Sequence, residues 1–377
     1  MEASGKLKLL VSKSCADFGE KVDKHLQLIR EEKKLIVPKN EKGEKTFIVE
    51  MKEPTFGNGE SKVVLTGSVR GGDVFHITDP NNWGITYDIC GCENHMSPQD
   101  HFHNITSAVG AVRGDALRFT SVQTILYESR QHRRKARESL DCAIALQELE
   151  KLGVDRIVTI DVHDPEVQNA IPTTPFNNLY PSHYIMAEFL KNEDIDYGKM
   201  MAISPDAGAI ERTTYYANIL SCPMGMFNKR RDYSKVTDGM NKIISHEYTG
   251  GRIKGKNAFI VDDMIASGGS ILDTAARLKE KGANKVYFIA SFGLFTKGMA
   301  AFDEAHEKGL FDAIYTTNAT YIPEAYRRPY LHVVDVSKMV AEVINAMHEE
   351  EPISDLLKGT ARRKELSLEV LARKKRR

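Results

Sequence analysis

The chain has 377 residues, 41% of them apolar and 28% charged, with 52 basic residues against 52 acidic ones. That length favours two domains of ordinary size, and the balanced charge argues against a general nucleic-acid binder. No apolar run reaches the length of a membrane span, the start MEASGKLKLLVSKS carries no signal-peptide pattern, and five scattered cysteines do not suit a disulfide scaffold. The expectation is a cytoplasmic protein with neither membrane nor nucleic acid as partner. Charge is nevertheless uneven: residues 358–377 carry nine Lys and Arg against two Glu, which leaves the remainder net acidic by seven. Such a tail is most often simply solvated.

In chain order, residues 7–11 read as a strand and 16–28 as a helix. The charge-rich stretch 31–45 reads as a loop, 47–51 as a strand, and 55–60 (TFGNGE) as a turn with two glycines. Strand propensity returns over 61–69, and Arg70-Gly-Gly-Asp73 leads into a strand at 74–78. Segment 79–103 is the least regular. It gathers Cys90, Cys92, His95, His101 and His103, ligand types that suit zinc, but their spacing matches no finger and an irregular loop is expected.

From residue 116 the rhythm is plain. Strands are expected at 120–127, 156–161, 200–204 and 224–227, with helices at 140–152, 182–191 and 211–219 between them. Strands at 258–261, 285–290, 313–317 and 330–336 follow, and a helix at 337–347 closes the body. Strands alternating with helices of ten or so residues predict an α/β fold with parallel sheets and crossover helices.

Open sheets of this kind place chemistry beyond the C-terminal ends of their strands, so candidates are sought there. The strongest is 258–274, AFIVDDMIASGGSILDT. An apolar strand ends in Asp262 and Asp263, and Ser267, Gly268, Gly269 and Ser270 then open a helix. Backbone N–H groups and the helix dipole face an anion in such a loop, and the acids can reach sugar hydroxyls or Mg²⁺. Strand 156–160 is followed by Asp161-Val-His163, whose i, i+2 spacing puts both side chains on one face if the backbone stays extended. Ser204-Pro-Asp206-Ala-Gly208 follows the next strand as a second anion- or metal-facing loop. After 227, Asn228-Lys229-Arg230-Arg231 sets three cations in a row before a polar segment expected to be mobile, an arrangement suited to clamping a transferring phosphoryl group.

The loop at 258–274 resembles the phosphoribosyl-diphosphate (PRPP) loop of type I phosphoribosyltransferases and ribose-phosphate diphosphokinases. With the other pieces in order over residues 7–357, the chain resembles the ribose-phosphate diphosphokinase (PRPP synthetase) family. Phe56-Gly-Asn58-Gly59-Glu60 is similar to its ATP-contacting turn, supplied by a neighbouring subunit, and Arg130-Gln131 to the pair in its ATP loop. Asp161-Val-His163 and Asp206 are similar to its metal–nucleotide site, and Lys229 and Arg231 to the cations of its catalytic loop. The resemblance implies two PRTase-like domains, 1–178 and 179–332, a closing strand and helix at 333–357 with a return to the first domain as the expectation, and an extra basic tail at 358–377. It also implies Mg²⁺, ATP and ribose 5-phosphate as ligands. Asp262, Asp263, Ala266, Ser267, Gly268, Gly269 and Ser270 would bind the sugar phosphate, in a homo-oligomer of at least two chains with hexamers within the family's range. The chain departs from the family pattern at Ala266, where an acid is usual, at Glu211, at His132-Arg133-Arg134 and at Asn177. A non-catalytic synthetase-associated subunit and a PRPP-consuming phosphoribosyltransferase are the two alternative expectations.

Overall fold

The computed structural model describes the backbone of residues 5–112, 114–193, 196–237 and 240–375, and their side chains apart from 229–237, 240–246 and 373–375. It divides into two compact units. The first takes residues 1–181, 318–323 and 335–358, and the second takes 182–317, 324–334 and 359–377.

The first unit contains β1 (Lys6–Val11), α1 (Ala16–Glu32), the short pair β2 (Met51–Lys52) and β3 (Val64–Leu65), and β4 (Gly72–Thr78). Next come the hairpin β5 (Thr86–Ile89) and β6 (Cys92–His95), α2 (Pro98–Val112), β7 (Arg118–Gln123), α3 (Asp141–Leu152), β8 (Arg156–Ile160) and β9 (Phe176–Leu179). Its main sheet runs β1-β4-β7-β8-β9, every pairing parallel. All seven residues of β4 are buried, as a central parallel strand covered on both faces requires.

The second unit holds α4 (Ser182–Asn192), β10 (Met200–Ser204), α5 (Ile210–Leu220), β11 (Met224–Thr237), β12 (Met240–Gly250) and β13 (Asn257–Ile265). It continues through α6 (Gly269–Glu280), β14 (Val286–Gly293), α7 (Ala300–Glu307), β15 (Ala313–Thr317) and β16 (Leu331–Val334). The sheet order is β12-β11-β10-β13-β14-β15-β16, parallel except for β12 against β11.

The end of the chain is shared between the units. The last strand β16 pairs with β15 in the second unit, whereas α8 (Ser337–His348) and α9 (Ser354–Lys358) belong to the first. There α8 packs along α1, and Arg30, 6% exposed, donates to Asn345 at 3.2 Å and to Glu349 at 2.6 Å. His348 and Arg118 both bind the buried Asp73 carboxylate, His348 Nδ1 at 2.9 Å and the guanidinium at 2.7 and 3.1 Å. Burial alone would raise the Asp73 pKa, but the hydrogen bonds from His348 and Arg118 outweigh it and hold the carboxyl below its usual range.

Three expectations need correction. The tail is not a solvated strand of charge: it forms α10 (Thr360–Lys375), and Leu366 and Val370, one turn apart, are buried in the second unit's core with Ile185, Phe189 and Tyr216. The segment 79–103 is a hairpin followed by a helix. Ser97 and Asp100 form a reciprocal cap at the start of α2, with Asp100 accepting the Ser97 N–H at 2.7 Å, and Pro98 opens the helix. Cys90 and Cys92 stand exposed at the hairpin turn, His95 meets the Trp83 carbonyl and buried His101 the Asn82 carbonyl. No group of three or more metal-ligand side chains comes together among the described residues. Finally, the backbone beyond Phe227 is no loose loop; β11 pairs with β12 out to Thr237–Met240.

Candidate functional site

In the second unit, the sheet order reverses at one place. β10 leads to β11 on one side, while its other neighbour β13 leads to β14, β15 and β16 on the opposite side. Crossovers departing in opposite directions open a crevice beyond the C-terminal ends of β10 and β13. Among the described strands of the first unit's main sheet, the order advances from β1 to β9 with no such reversal.

Acids line that crevice. The loop after β10 carries Asp206, whose Oδ1 accepts the Gly208 N–H at 3.0 Å and so shapes the turn into α5. Near the end of β13, Asp262 is half-buried and Asp263 only 3% exposed, on alternate faces of the strand. Asp262 Oδ1 accepts the Asp263 N–H at 2.9 Å. Burial first, then the charge and hydrogen bond of Asp263 and the charge of Asp206, push the Asp262 pKa well above the usual carboxylate range. Arg212 opposes that shift. It is a residue the sequence reading missed, and the available signal was a cation in the first turn of a helix, where the macrodipole disfavours it.

The anion cradle follows directly. Gly268 is the N-cap of α6 with φ +82°, and having no side chain it leaves the first-turn N–H groups to an incoming anion. A Cβ at this position would lie 2.3 Å from the Phe302 ring, so only glycine fits both the backbone and the space. Ser267 is half-buried, while Gly269 and Ser270 are exposed. At the acid-deficient position, the Ala266 carbonyl accepts the Thr296 N–H at 3.0 Å, which fixes the loop backbone without supplying a charge.

The donors fit Mg²⁺ in kind. Oxygen ligands crowded by like charge around Asp262 suit a hard cation, and Mg²⁺ is commonly held by one or two carboxylates, waters and substrate phosphates.

In the first unit, Asp161 directly follows β8 with φ +38° and is buried, while His163 is exposed. The left-handed turn at Asp161 breaks the period of two, so the two side chains do not share a strand face as expected. His163 instead lies edge-on to His132 at 5.1 Å, and His132 Nε2 sits 3.2 Å from Asp164, which also takes Arg133 at 3.0 Å. Arg130 and Gln131 are exposed on the loop after β7, where Gln131 N–H donates to Glu128. The 55–61 turn is closed by Phe56 N–H to the Glu60 carbonyl at 2.7 Å, with Gly59 at φ +90° and Asn58 Oδ1 accepting the Glu60 N–H at 3.2 Å. Its Phe56 ring is 45% exposed with Lys62 Nζ 5.6 Å from its centroid. Lys229 and Arg231 are on β11, and their side chains lie outside the described residues.

Comparison with known proteins decides the family. Residues 7–153 match the model of the N-terminal domain of ribose phosphate pyrophosphokinase, and residues 229–358 match that of the phosphoribosyl synthetase-associated domain. The ribose-phosphate pyrophosphokinase of Pasteurella multocida is 31% identical over 303 residues, which cover 79% of this chain and 88% of that protein. The chain belongs to the ribose-phosphate pyrophosphokinase (PRPP synthetase) family. Another member, from a Nostoc species, is 30% identical over 80% of this chain and 84% of its own length. The phosphoribosylpyrophosphate synthetase structure from Mycobacterium smegmatis superposes with a TM-score of 0.71 at 22% identity, covering 92% of this chain and 99% of that one, and it shows the shared fold. The two parallel-sheet, PRTase-like units of the pyrophosphokinase family are therefore those of this chain. No helix among the described residues is long and apolar enough to cross a membrane.

Proposed function

We propose that this pyrophosphokinase-family chain is an active ribose-phosphate diphosphokinase, transferring the β,γ-diphosphoryl group of Mg-ATP to O1 of ribose 5-phosphate. The crevice between the ends of β10 and β13 carries the reading, because it joins an acid pair to an anion cradle. The 5-phosphate would take the N–H groups of residues 267–270, and Asp262 and Asp263 would hold ribose hydroxyls. Family resemblance assigns the nucleotide to Arg130 and Gln131, and to Phe56, Asn58, Gly59 and Glu60 of a neighbouring copy, which makes a dimer the smallest active unit. Mg²⁺, held by Asp206 and near the nucleotide by Asp161 and His163, would neutralise phosphate charge.

In the transfer itself, ribose O1 attacks the β-phosphorus in line. The O1–P bond forms as the bond from the β-phosphorus to the α,β-bridging oxygen breaks, AMP departs with that electron pair, and the O1 proton goes to water. Lys229 and Arg231 would stabilise charge building on the bridging and equatorial oxygens, and a loose transition state needs little help from a base.

AMP release from Mg-ATP and ribose 5-phosphate, with and without phosphate, tests the proposal. Lys229→Ala should lower the rate by about a hundredfold or more. A wild type silent in every condition would favour the second reading, a non-catalytic associated subunit. Ala266 supports that alternative, since the loop keeps its backbone bond to Thr296 but lacks the family's third acid.

A further inference from the structure

The second unit holds a cavity of about 370 Å³ at the end of its sheet away from the crevice. Tyr248, the loop 250–254 and Lys281 form its wall. The loop joins the end of β12 to the start of β13, and Lys281 is the C-cap of α6. From Asn257 to Asp262, five steps of extended strand set about 17 Å between this end of β13 and the acid pair. None of the residues assigned to sugar phosphate, nucleotide or metal lines the cavity.

Three cations and no carboxylate contribute to the wall. Arg252, Lys254 and Lys281 are exposed, and none forms an ion pair among the described residues. Neighbouring cations behave differently. On α6 itself Arg277 pairs with Asp273 at 3.2 Å and Lys279 lies 3.6 Å from Asp312, while Lys285 reaches Glu193 at 4.0 Å. Glu247 and Glu280 adjoin the wall in sequence but take no part in it. The C-terminus of α6 adds about half a negative charge, which three whole positive charges outweigh.

The loop backbone offers donors to match. Gly251, Arg252, Ile253 and Lys254 give no backbone N–H to a described residue, although the loop is held at both ends. At one end the Tyr248 hydroxyl donates to the Gly251 carbonyl at 2.9 Å. At the other, Gly255 N–H donates to the Gly282 carbonyl and Lys256 N–H to the Ile253 carbonyl, each at 2.8 Å. A fixed run of unpaired amides beside cations suits an anion. The half-buried Tyr248 ring, with Lys281 Nζ 5.7 Å from its centroid, adds a flat aromatic face.

We propose that this cavity is a second anion site, which binds a compound with two or more linked phosphates across Arg252, Lys254 and Lys281. One phosphate carries about two negative charges at most, so three cations call for a longer chain. Inorganic diphosphate and the diphosphate of a nucleotide share that chemistry, and a nucleotide would add its base to the Tyr248 ring. The site stands apart from the turnover reading, because its occupancy can be followed whether or not the chain makes PRPP.

The test is lysine protection on the full-length protein in magnesium-free buffer. Acetylation by a succinimidyl ester, mapped by mass spectrometry, is followed with inorganic diphosphate or ADP, against sulfate at matched ionic strength. Lys254 and Lys281 should be shielded about threefold or more, whereas Lys308, exposed and paired with Glu304, should not change. Arg252→Gln keeps both reporters and should raise the half-protecting concentration about tenfold or more. Lys229→Ala, which alters the proposed catalytic clamp, should leave it within about twofold. Stronger shielding by ADP would assign the site to a nucleotide and stronger shielding by diphosphate to the inorganic chain; either supports the proposal. It is overturned if neither ligand shields the two lysines at millimolar concentration, or if Lys308 is shielded equally. It is equally overturned if Arg252→Gln changes nothing, or if Lys229→Ala abolishes the shielding, which would move the ligand to the crevice.

Discussion

Two buried groups in the first unit should make its stability respond to pH in opposite directions. His76 is wholly buried, Nε2 bonded to Ser12 and Nδ1 without a partner, and burial depresses its pKa from 6.5 to about 4. Asp79, three residues on, accepts the Tyr321 N–H at 2.8 Å, the Asn81 N–H at 2.9 Å and the Thr320 hydroxyl at 3.1 Å. Burial outweighs these donors and pushes it from 3.8 up to about 6. Below pH 6.5 the unfolded imidazole takes up a proton that the folded one refuses, so the His76 contribution is whole above that pH and lost on descent towards 4. Asp79 works in reverse: its folded form keeps a proton that the unfolded chain releases near 3.8, so its contribution is whole below that pH and lost on ascent to 6. At about 1.4 kcal/mol per pH unit, each is worth about 3 kcal/mol and the two nearly cancel. Asp79→Asn should therefore gain about 3 kcal/mol relative to wild type between pH 4 and 6, and His76→Gln should lose about as much relative to wild type between pH 4 and 6.5. Urea unfolding followed through Trp83, the only tryptophan and part of this unit, measures both. Parallel stability curves for wild type and both variants would refute the reasoning.

Gly268→Ala should destabilise the second unit by about 2–4 kcal/mol, from left-handed strain plus the clash with Phe302, and should raise the KM for ribose 5-phosphate. In a double-mutant cycle, Phe302→Leu should recover at least about 1 kcal/mol of that loss; additive effects would contradict the packing account. Asp73→Asn should cost about 3 kcal/mol at pH 7, because Arg118 and His348 lose a buried partner. That contribution is present above the unfolded carboxyl range and lost as pH falls through the depressed folded pKa, so variant and wild type should converge in acid. Val370→Asp should cost about 3 kcal/mol or more by placing a charge in the second unit's core, whereas a solvated tail would leave the melting temperature unchanged.

The sequence disclosed the fold wherever one periodicity dominated. β10 and β15 match their expected ranges because Met200–Ser204 and Ala313–Thr317 are short buried runs with abrupt polar ends. α2 was hidden by its chemistry: His101 and His103 drew attention as ligands, although Phe102, Ile105, Ala108, Val109 and Val112 repeat at helical spacing behind a capping signal. β12 was invisible because an outer antiparallel strand needs no apolar alternation. The tail helix escaped because charge masked the two residues that bury it, Leu366 and Val370. At the site, acids, glycines and serines were legible from spacing. The left-handed Asp161 and the proximity of Arg212 to Asp262 were not, since both arise only when the strand ends meet their neighbours.

The division of the C-terminal segment between the units has a consequence for how the protein is made. Arg30 and the apolar face of α1 emerge from the ribosome early, but α8, which covers them, is encoded more than 300 residues later. The first 181 residues must wait in an incomplete state while most of the second unit is synthesised, holding an exposed seam that a chaperone could recognise. The second unit in turn is sealed only when Leu366 and Val370 arrive. Neither half is a natural fragment, and a stop codon before residue 337 would strand both.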